Sequence, residues 1–365
     1  MDHKILHCFP DPALQAAWRD CLRRVPCPSH YVAPEYFLEP FLAAQQPFAV
    51  LALDKDTVVG VLTGLHRGQH VICGLESRPQ VCIDPTQDKT AVTKTLMEGL
   101  LTALCRATLV TIYTWADLEM PALCRRGFRC RQTERGNVVL DLTKGPEALF
   151  AEFTKDRRRN IRFAEKNGVD VSELTTPEDV SDAFAVYQIW SNTNRERTGV
   201  IPISFEQFRA AALRKENRLM LIARFQGKAI ALNTFRFFPG GLFESASNAS
   251  LEEFQYLKPN DLLQWRGIQW ACSHGLRRHS LGGSHPFLRR FGGEVATVLR
   301  YQLDQSFLHR HELREATHDY GRAVLKAVPG MVTHLMQHIR GANPTQPRSR
   351  TKLPPPEMSN GPNAA

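Results

Sequence analysis

The stretch LMLIARFQGKAIALNTF, residues 219–235, decides the fold. Two short apolar runs flank Gln226-Gly227, a pair suited to a tight turn, and together they predict a β-hairpin. An earlier segment, AVLALDKDTVVGVLTGL (49–65), repeats the pattern around a charged turn. The contexts repeat as well. After the second hairpin come a strand GLFESASN (241–248), a helix PNDLLQWRGIQWACSHG (259–275), a strand RRHSLGG (277–283), the segment PFLRRFGGE (286–294) and a strand ATVLRYQL (296–303). After the first come a strand at 80–84, a helix KTAVTKTLMEGLLTALCRA (89–107), a strand LVTIYTW (109–115), the short helical ADLEMPALCRRG and a strand near 137–142. The hairpins lie about 170 residues apart, which predicts a duplicated α/β unit and not a short-period solenoid.

Between the halves, ALFAEFTKDRRRNIRFAEKNGVDV (148–171) reads as one helix, with Phe150, Phe153, Ile161 and Ala164 on a single stripe and Gly168 ending it. A further helix is expected over 177–199. The resulting organisation is a first α/β domain at 1–145, a second at 146–310, a helical extension at 311–340 and a Pro-rich tail at 341–365. The tail has too few apolar residues to build a core and is expected to be disordered.

Composition narrows the classes. The 365 residues are 43% hydrophobic and 23% charged, which excludes wholesale disorder, collagen and coiled coil. Lys and Arg total 46 against 37 Asp and Glu, a net charge of +9 that favours anionic partners. The nine cysteines include no CxxC, so no zinc site is expected, and Cys82, Cys105 and Cys272 read as small packing residues. No uncharged apolar run approaches the ~18 residues of a membrane span. The opening MDHKILHCFPDP has no apolar signal core. A cytoplasmic protein without stable membrane insertion is expected, peripheral association being compatible with its charge.

Duplicated units of this kind are similar to the acyltransferase fold known as GNAT. RRNIRFAEKNGVDV (158–171), KPNDLLQWRGIQWACSHGLRRHSLGGS (258–284) and FLRRFGGE (287–294) sharpen the likeness. They resemble the linker helix, the helix–strand–Gly-Gly run and the basic Phe/Gly segment of FemAB-like peptidyltransferases. The resemblance covers about 148–303 well and the first half by pattern. It implies tandem GNAT-like domains joined by a helix, and transfer of an acyl or aminoacyl group to an amine. It also implies acyl-CoA or aminoacyl-tRNA as co-substrate, with no bound cofactor. The implied acceptor is a small molecule or a cell-wall (peptidoglycan) precursor. In the resembling family a lysine in the basic Phe/Gly segment is thought to stabilise the oxyanion. Arg289 takes that place here, and Arg290 follows it. Arginine still supplies charge and donors to an oxyanion or a diphosphate, but it cannot serve as a base. The plainer reading pairs Arg289 or Arg290 with Glu294.

A GNAT enzyme that uses acyl-CoA presents glycines before its main helix, so that backbone N–H groups approach the pyrophosphate. In the second half Lys258 and Asn260 stand where those glycines would be, and residues 87–92 of the first half lack them too. That absence favours a tRNA donor. Lys258 just ahead of a helix start can serve an anion, or it is a solvated lysine before an Asn260 cap. Lys155, Arg157, Arg158, Arg159 and Arg162 form a basic run that reads either as a phosphate-facing surface or as a solvated helix face paired to Asp156 and Glu165. Arg157 falls on the apolar stripe and must find a carboxylate or phosphate. Gly282 and Gly283 close a strand at its carboxyl end, where α/β sheets place ligands. Glu244, a carboxylate within a strand beside that cleft, is a candidate general base, and His285 reads as structural. A second class is a non-catalytic relative that keeps the fold to hold RNA or another anionic partner.

Overall fold

The computed structural model describes residues 1–327 apart from 43, 104–106, 135 and 199–201. The first half runs β1 (Asp2–Leu6), α1 (Pro12–Arg24), β2 (Gln46–Asp54), β3 (Thr57–Arg67), β4 (His70–Cys73) and β5 (Val81–Ile83). It continues through α2 (Lys89–Ala103), β6 (Leu109–Trp115), α3 (Pro121–Cys124), β7 (Arg129–Gln132) and β8 (Asn137–Asp141). Then follow α4 (Pro146–Glu152), α5 (Lys155–Lys166), β9 (Val169–Glu173), α6 (Pro177–Thr198) and α7 (Phe205–Ala212). The second hairpin unit comprises β10 (Arg218–Phe225), β11 (Lys228–Phe237), β12 (Leu242–Ser250), α8 (Pro259–Ser273), β13 (Arg278–Ser280), α9 (Pro286–Arg289), β14 (Glu294–Ala296) and β15 (Val298–Asp304).

Both hairpins form where the sequence places them. Gln226 and Gly227 take φ values of 51° and 79°, the doubly left-handed turn whose twist matches paired strands. The strands assemble into two sheets, ordered β1-β2-β3-β4-β6-β15-β7 with β5 on β3, and β14-β8-β13-β12-β11-β10-β9. Helix α8 covers the second sheet, and Gly267 sets its approach: a Cβ there would lie 2.4 Å from the Phe235 ring. Phe235, Phe243, Phe153 and Phe291 are fully buried around it. Each such ring contributes about 1.5–3 kcal/mol by leaving water.

The sheets do not divide at residue 145. Strand β8, expected in the first half, pairs with β13 and β14 in the second sheet. Strand β15 returns the exchange by pairing with β6 and β7 in the first. Packing explains the crossing: Val138 and Leu140 join the α8 core, whereas Tyr301 joins the α2 core. There the Tyr301 hydroxyl accepts the Met120 N–H at 2.8 Å.

The expected continuous helix over 148–171 is instead two. The chain turns extended at Phe153 and Thr154, where the Thr154 N–H donates to the Arg290 carbonyl at 3.0 Å. The apolar stripe survives the break, with Phe153, Ile161 and Ala164 all buried. Gly168 ends α5 with a φ of 78°. Cys82 is a buried free thiol and Cys272 a half-buried one, whereas Cys105 lies outside the described residues. A separate unit begins at Leu308, and its helix α10 spans Arg310–Ala327. The rest of the expected extension and the Pro-rich tail lie outside the described residues. Among the described residues no helix is long and apolar enough to cross a membrane.

Candidate active site between the two halves

Three neighbouring strands of the second sheet place Arg218, Arg236 and Glu244 in one row, each directly opposite the next. Strand alternation turns Phe235, Phe237 and Phe243 into the α8 core and leaves this charged row on the other face. The first half supplies the groups that meet it. Tyr31 lies in the turn His30–Val32, Glu39 closes the turn Pro34–Leu38, and Arg78 lies in the β4–β5 connection. Side chains brace these loops: Ser29 Oγ donates to the Pro79 carbonyl at 2.9 Å, and Thr63 Oγ1 donates to the Tyr31 carbonyl at 2.6 Å.

Glu39 is the hub. Its Oε1 accepts from His30 Nε2 at 2.9 Å and from Arg218, and its Oε2 lies 2.8 Å from Arg236 Nη2. Burial alone would raise its pKa, but Arg236, His30 and Arg218 outweigh that and hold it well below the ordinary carboxylate range. Arg236 also donates to the Tyr31 hydroxyl at 2.5 Å, and the Arg78 guanidinium lies 3.6 Å above the Tyr31 ring.

Glu244 is placed differently. It is 3% exposed, its Oε1 lies 3.5 Å from Arg78 Nη1, and its Oε2 has no hydrogen-bond partner among the described residues. Burial pushes its pKa up to about 7, against the pull of Arg78 and Arg236. A carboxyl of that affinity can both take and release a proton near neutrality.

Beyond Glu244 the sheet opens. Strands β12 and β13 pair in parallel from Leu242↔Arg278 to Glu244↔Ser280, after which β12 continues to Ser250 against β11 without β13 on its other side. The β11–β12 register slips here, so Ala246 stands opposite no residue of β11. Gly282 and Gly283 then turn the chain away with φ values of 87° and 157°. A Cβ on Gly282 would meet the Ser245 carbonyl oxygen at 3.4 Å. Behind the opening, His279 Nε2 lies 3.1 Å from both Ser245 Oγ and Gln264 Nε2, and burial lowers its pKa to about 3, keeping the ring neutral.

The first half opens in the same way. Strand β6 pairs in parallel with β4, whereas β5 pairs only with β3. A cavity of about 760 Å³ fills the divergence, lined by Cys27, Val81, Ile83, Trp115, Val139 and Arg278 among others. Arg278 is held there by Asp117 at 2.9 Å. Glu244 does not line this cavity, but the short segment beside it touches both places. Arg78 reaches Glu244 while Pro79 lines the cavity.

The other sequence-predicted residues fall in several places. Arg157 does not face a phosphate surface. It is buried against Asp261, donates to the Phe287 carbonyl at 3.1 Å and lies 3.6 Å over the Phe287 ring, tying α5 to α8 and α9. Burial lowers its pKa to about 10. Arg159 is 75% exposed and pairs with Asp156 at 3.3 Å, as a solvated face would. Arg289 is exposed, and its Nε donates to the Ser284 carbonyl at 2.9 Å, not to Glu294, so it braces the loop that follows Gly283. Arg290 is exposed beside it. Lys258, not Asn260, caps α8, with a left-handed φ of 59°. Asn260 Nδ2 donates to Ser250 Oγ at 3.2 Å, at the far end of β12. Glu244, Gly282 and Gly283 thus meet at the β12–β13 opening, while Lys258 and Asn260 sit at the start of α8.

The turns ahead of α2 and α8 differ in what they offer an anion. In the first half Asp84 Oδ1 accepts from Thr86 N and Oγ1, and Asp88 Oδ1 accepts from Thr90 N. In the second, Pro259 at the first helical position has no N–H, and the Asp261 N–H is donated to the Lys258 carbonyl at 3.2 Å. Two carboxylates in one turn and a missing donor in the other disfavour an incoming diphosphate.

Sequence reading did not single out Tyr31, Glu39, Arg78, Arg218 or Arg236. Arg236 carried a usable signal, a charge set between Phe235 and Phe237 in a strand, the same mark that identified Glu244. Glu39 and Arg78 lie in loops and carried none.

The sequence profile described as acetyltransferase (GNAT) domain matches residues 152–291. A search of curated proteins finds no match. Among solved structures, FemX is similar over 82% of this chain and 97% of its own, at 12% identity and a TM-score of 0.61. The C-terminal domain of a putative lysylphosphatidylglycerol synthetase from Agrobacterium fabrum covers 83% and is itself covered to 95%, at 12% identity and a TM-score of 0.57. A tandem GNAT protein from the clavulanic acid biosynthesis pathway covers 84% and is covered to 99%, at 12% identity and a TM-score of 0.52. At this identity the likeness is one of fold, and the profile match concerns the second half. Residues 152–291 therefore match the acetyltransferase (GNAT) domain profile, within a chain whose fold is similar to those of FemX and of a tandem GNAT protein.

Proposed function

We propose that the protein is an amine acyltransferase in which Glu244 is the general base. The observation that carries this reading is the buried, half-satisfied Glu244 carboxyl at the point where β13 leaves β12. A neutral amine attacks the carbonyl of an activated ester, its excess proton passes to Glu244 Oε2, and the C–N bond forms. The tetrahedral oxyanion collapses, the ester C–O bond breaks, and the leaving hydroxyl takes up the proton. The Ala246 N–H at the bulge, with the Arg289 guanidinium, is assigned to the oxyanion. Such donors act mainly by being fixed in place beforehand.

We assign the donor as an aminoacyl ester of tRNA. The carboxylate-capped turn at 84–90 and the proline at the first position of α8 support a donor without a nucleoside diphosphate at a helix start. The exposed cations Lys155, Arg159, Arg289 and Arg290, with the net charge of +9, suit a polynucleotide backbone. The name of one structural neighbour, a putative lysylphosphatidylglycerol synthetase, supports an aminoacyl product. The acceptor is an amine on a small molecule or on a cell-envelope precursor. One observation favours acyl-CoA instead: the cavity between β5 and β6 is roomy and partly apolar.

Binding of acetyl-CoA and of aminoacylated tRNA, measured at the same moderate salt, tests the assignment. Saturable binding of charged tRNA without an acetyl-CoA response is expected. Tight acetyl-CoA binding overturns the tRNA assignment, and binding of neither returns the chain to the non-catalytic class.

A further inference from the structure

Arg236 and Glu244 face each other directly across β11 and β12. Opposite charges so placed ordinarily pair. Here they do not. Arg236 gives one nitrogen to Glu39 Oε2 at 2.8 Å and another to the Tyr31 hydroxyl at 2.5 Å. Arg218 stands opposite Arg236 on its other side, a like-charge pair that would repel without an anion between them. Glu39, brought in from the first half, supplies that anion and binds both.

We propose that Glu39 is a positioning residue for Glu244. By engaging Arg236 and Arg218 it withholds a guanidinium from Glu244, and so leaves that carboxyl able to exchange a proton at neutral pH. The inference rests on Glu244 acting as the base, and it explains how a carboxylate flanked by arginines escapes permanent ionisation.

The groups facing Glu244 can be named from each side. Arg236 comes from β11, Arg78 from the β4–β5 connection and Tyr31 from the turn above, with Glu39 at longer range and His30 bonded to Glu39. From β13 the register partner is Ser280, while His279 points to the opposite face toward Ser245 and Gln264. Removing the Glu39 charge leaves Arg236 only Tyr31 as a partner, with Glu244 as its nearest anion. An opposite charge within ~4–6 Å depresses a carboxyl by about 1–3 units.

The test is a direct titration of Glu244 by ¹³C NMR on glutamate-labelled protein, with Glu244→Gln identifying the resonance. In the wild type the midpoint is expected near neutrality. In Glu39→Gln it should fall by about 1–3 units. In the double variant Glu39→Gln/Arg236→Gln it should return to the wild-type value or above, because no guanidinium is released. If Glu39→Gln does not fold, Glu39→Asp, too short to span both arginines, should show a smaller fall. An unchanged midpoint in the folded Glu39 variant overturns the proposal, and so does a double variant that falls as far as the single. The acid–base reading fails separately: a Glu244→Gln protein with full transfer activity removes Glu244 as the base whatever its midpoint does.

Discussion

Asp261 and Glu244 are both almost completely buried, at 4% and 3% exposure, yet they are partnered in opposite ways. Asp261 has both oxygens matched, Oδ1 by Arg157 and Oδ2 by Asn160 at 2.9 Å, within one half of the molecule. Glu244 has one oxygen 3.5 Å from an arginine of the other half and one oxygen with no partner among the described residues. A matched buried carboxylate is a tie between elements. One left short of donors is poised for a proton, because desolvation without full compensation raises its affinity. In the sequence Arg157 stands out as a cation on an apolar stripe that must find a carboxylate or phosphate, and Asp261 is the carboxylate it finds.

The comparison can be broken at either carboxylate. Asp261→Asn leaves Arg157 buried without its counter-charge, and it should cost about 3–5 kcal/mol in urea unfolding. A cost below about 1 kcal/mol would mean that Arg157 is not tied there. Glu244 should show the opposite economy. Its folded affinity is raised from the ordinary 4.5 to about 7, so the folded state holds the proton across a window in which the unfolded chain has lost it. Stability should therefore decline as pH rises from about 4.5 to 7, by a total of about 3 kcal/mol, and level off above. Glu244→Gln should abolish that decline and be the more stable protein at pH 8. Equal pH dependence in the two proteins would show that Glu244 is not held protonated. The smallest effect is expected at Arg159, whose exposed pair with Asp156 is worth under about 0.5 kcal/mol. Arg159→Ala should leave thermal unfolding unchanged while lowering the salt dependence of polyanion binding.

The repeated hairpins, the α8 helix and the Gly-Gly turn are legible because each rests on local chemistry: turn residues, periodicity and a glycine whose Cβ position Phe235 fills. The strand exchange is not. Nothing in NVVLD or VLRYQLD distinguishes one sheet from the other, since either strand is apolar enough for both cores, and the partners lie more than a hundred residues away. The break at Thr154 is hidden for the same reason, its N–H being satisfied by Arg290. At the site, Glu244 is legible as a charge in a strand. What sets its behaviour is not, because Glu39, Tyr31 and Arg78 reach it from loops of the other half.

The central claim is that the under-partnered Glu244 takes the proton of an attacking amine. It is tested most directly by single-turnover transfer from charged tRNA to an amine acceptor, compared in wild type and Glu244→Gln from pH 5.5 to 8.5. The account predicts a wild-type rate that rises with pH through a midpoint near 7, and a variant slower by about 10²–10⁴-fold with no such midpoint. A folded Glu244→Gln protein that matches the wild-type rate and profile would contradict it.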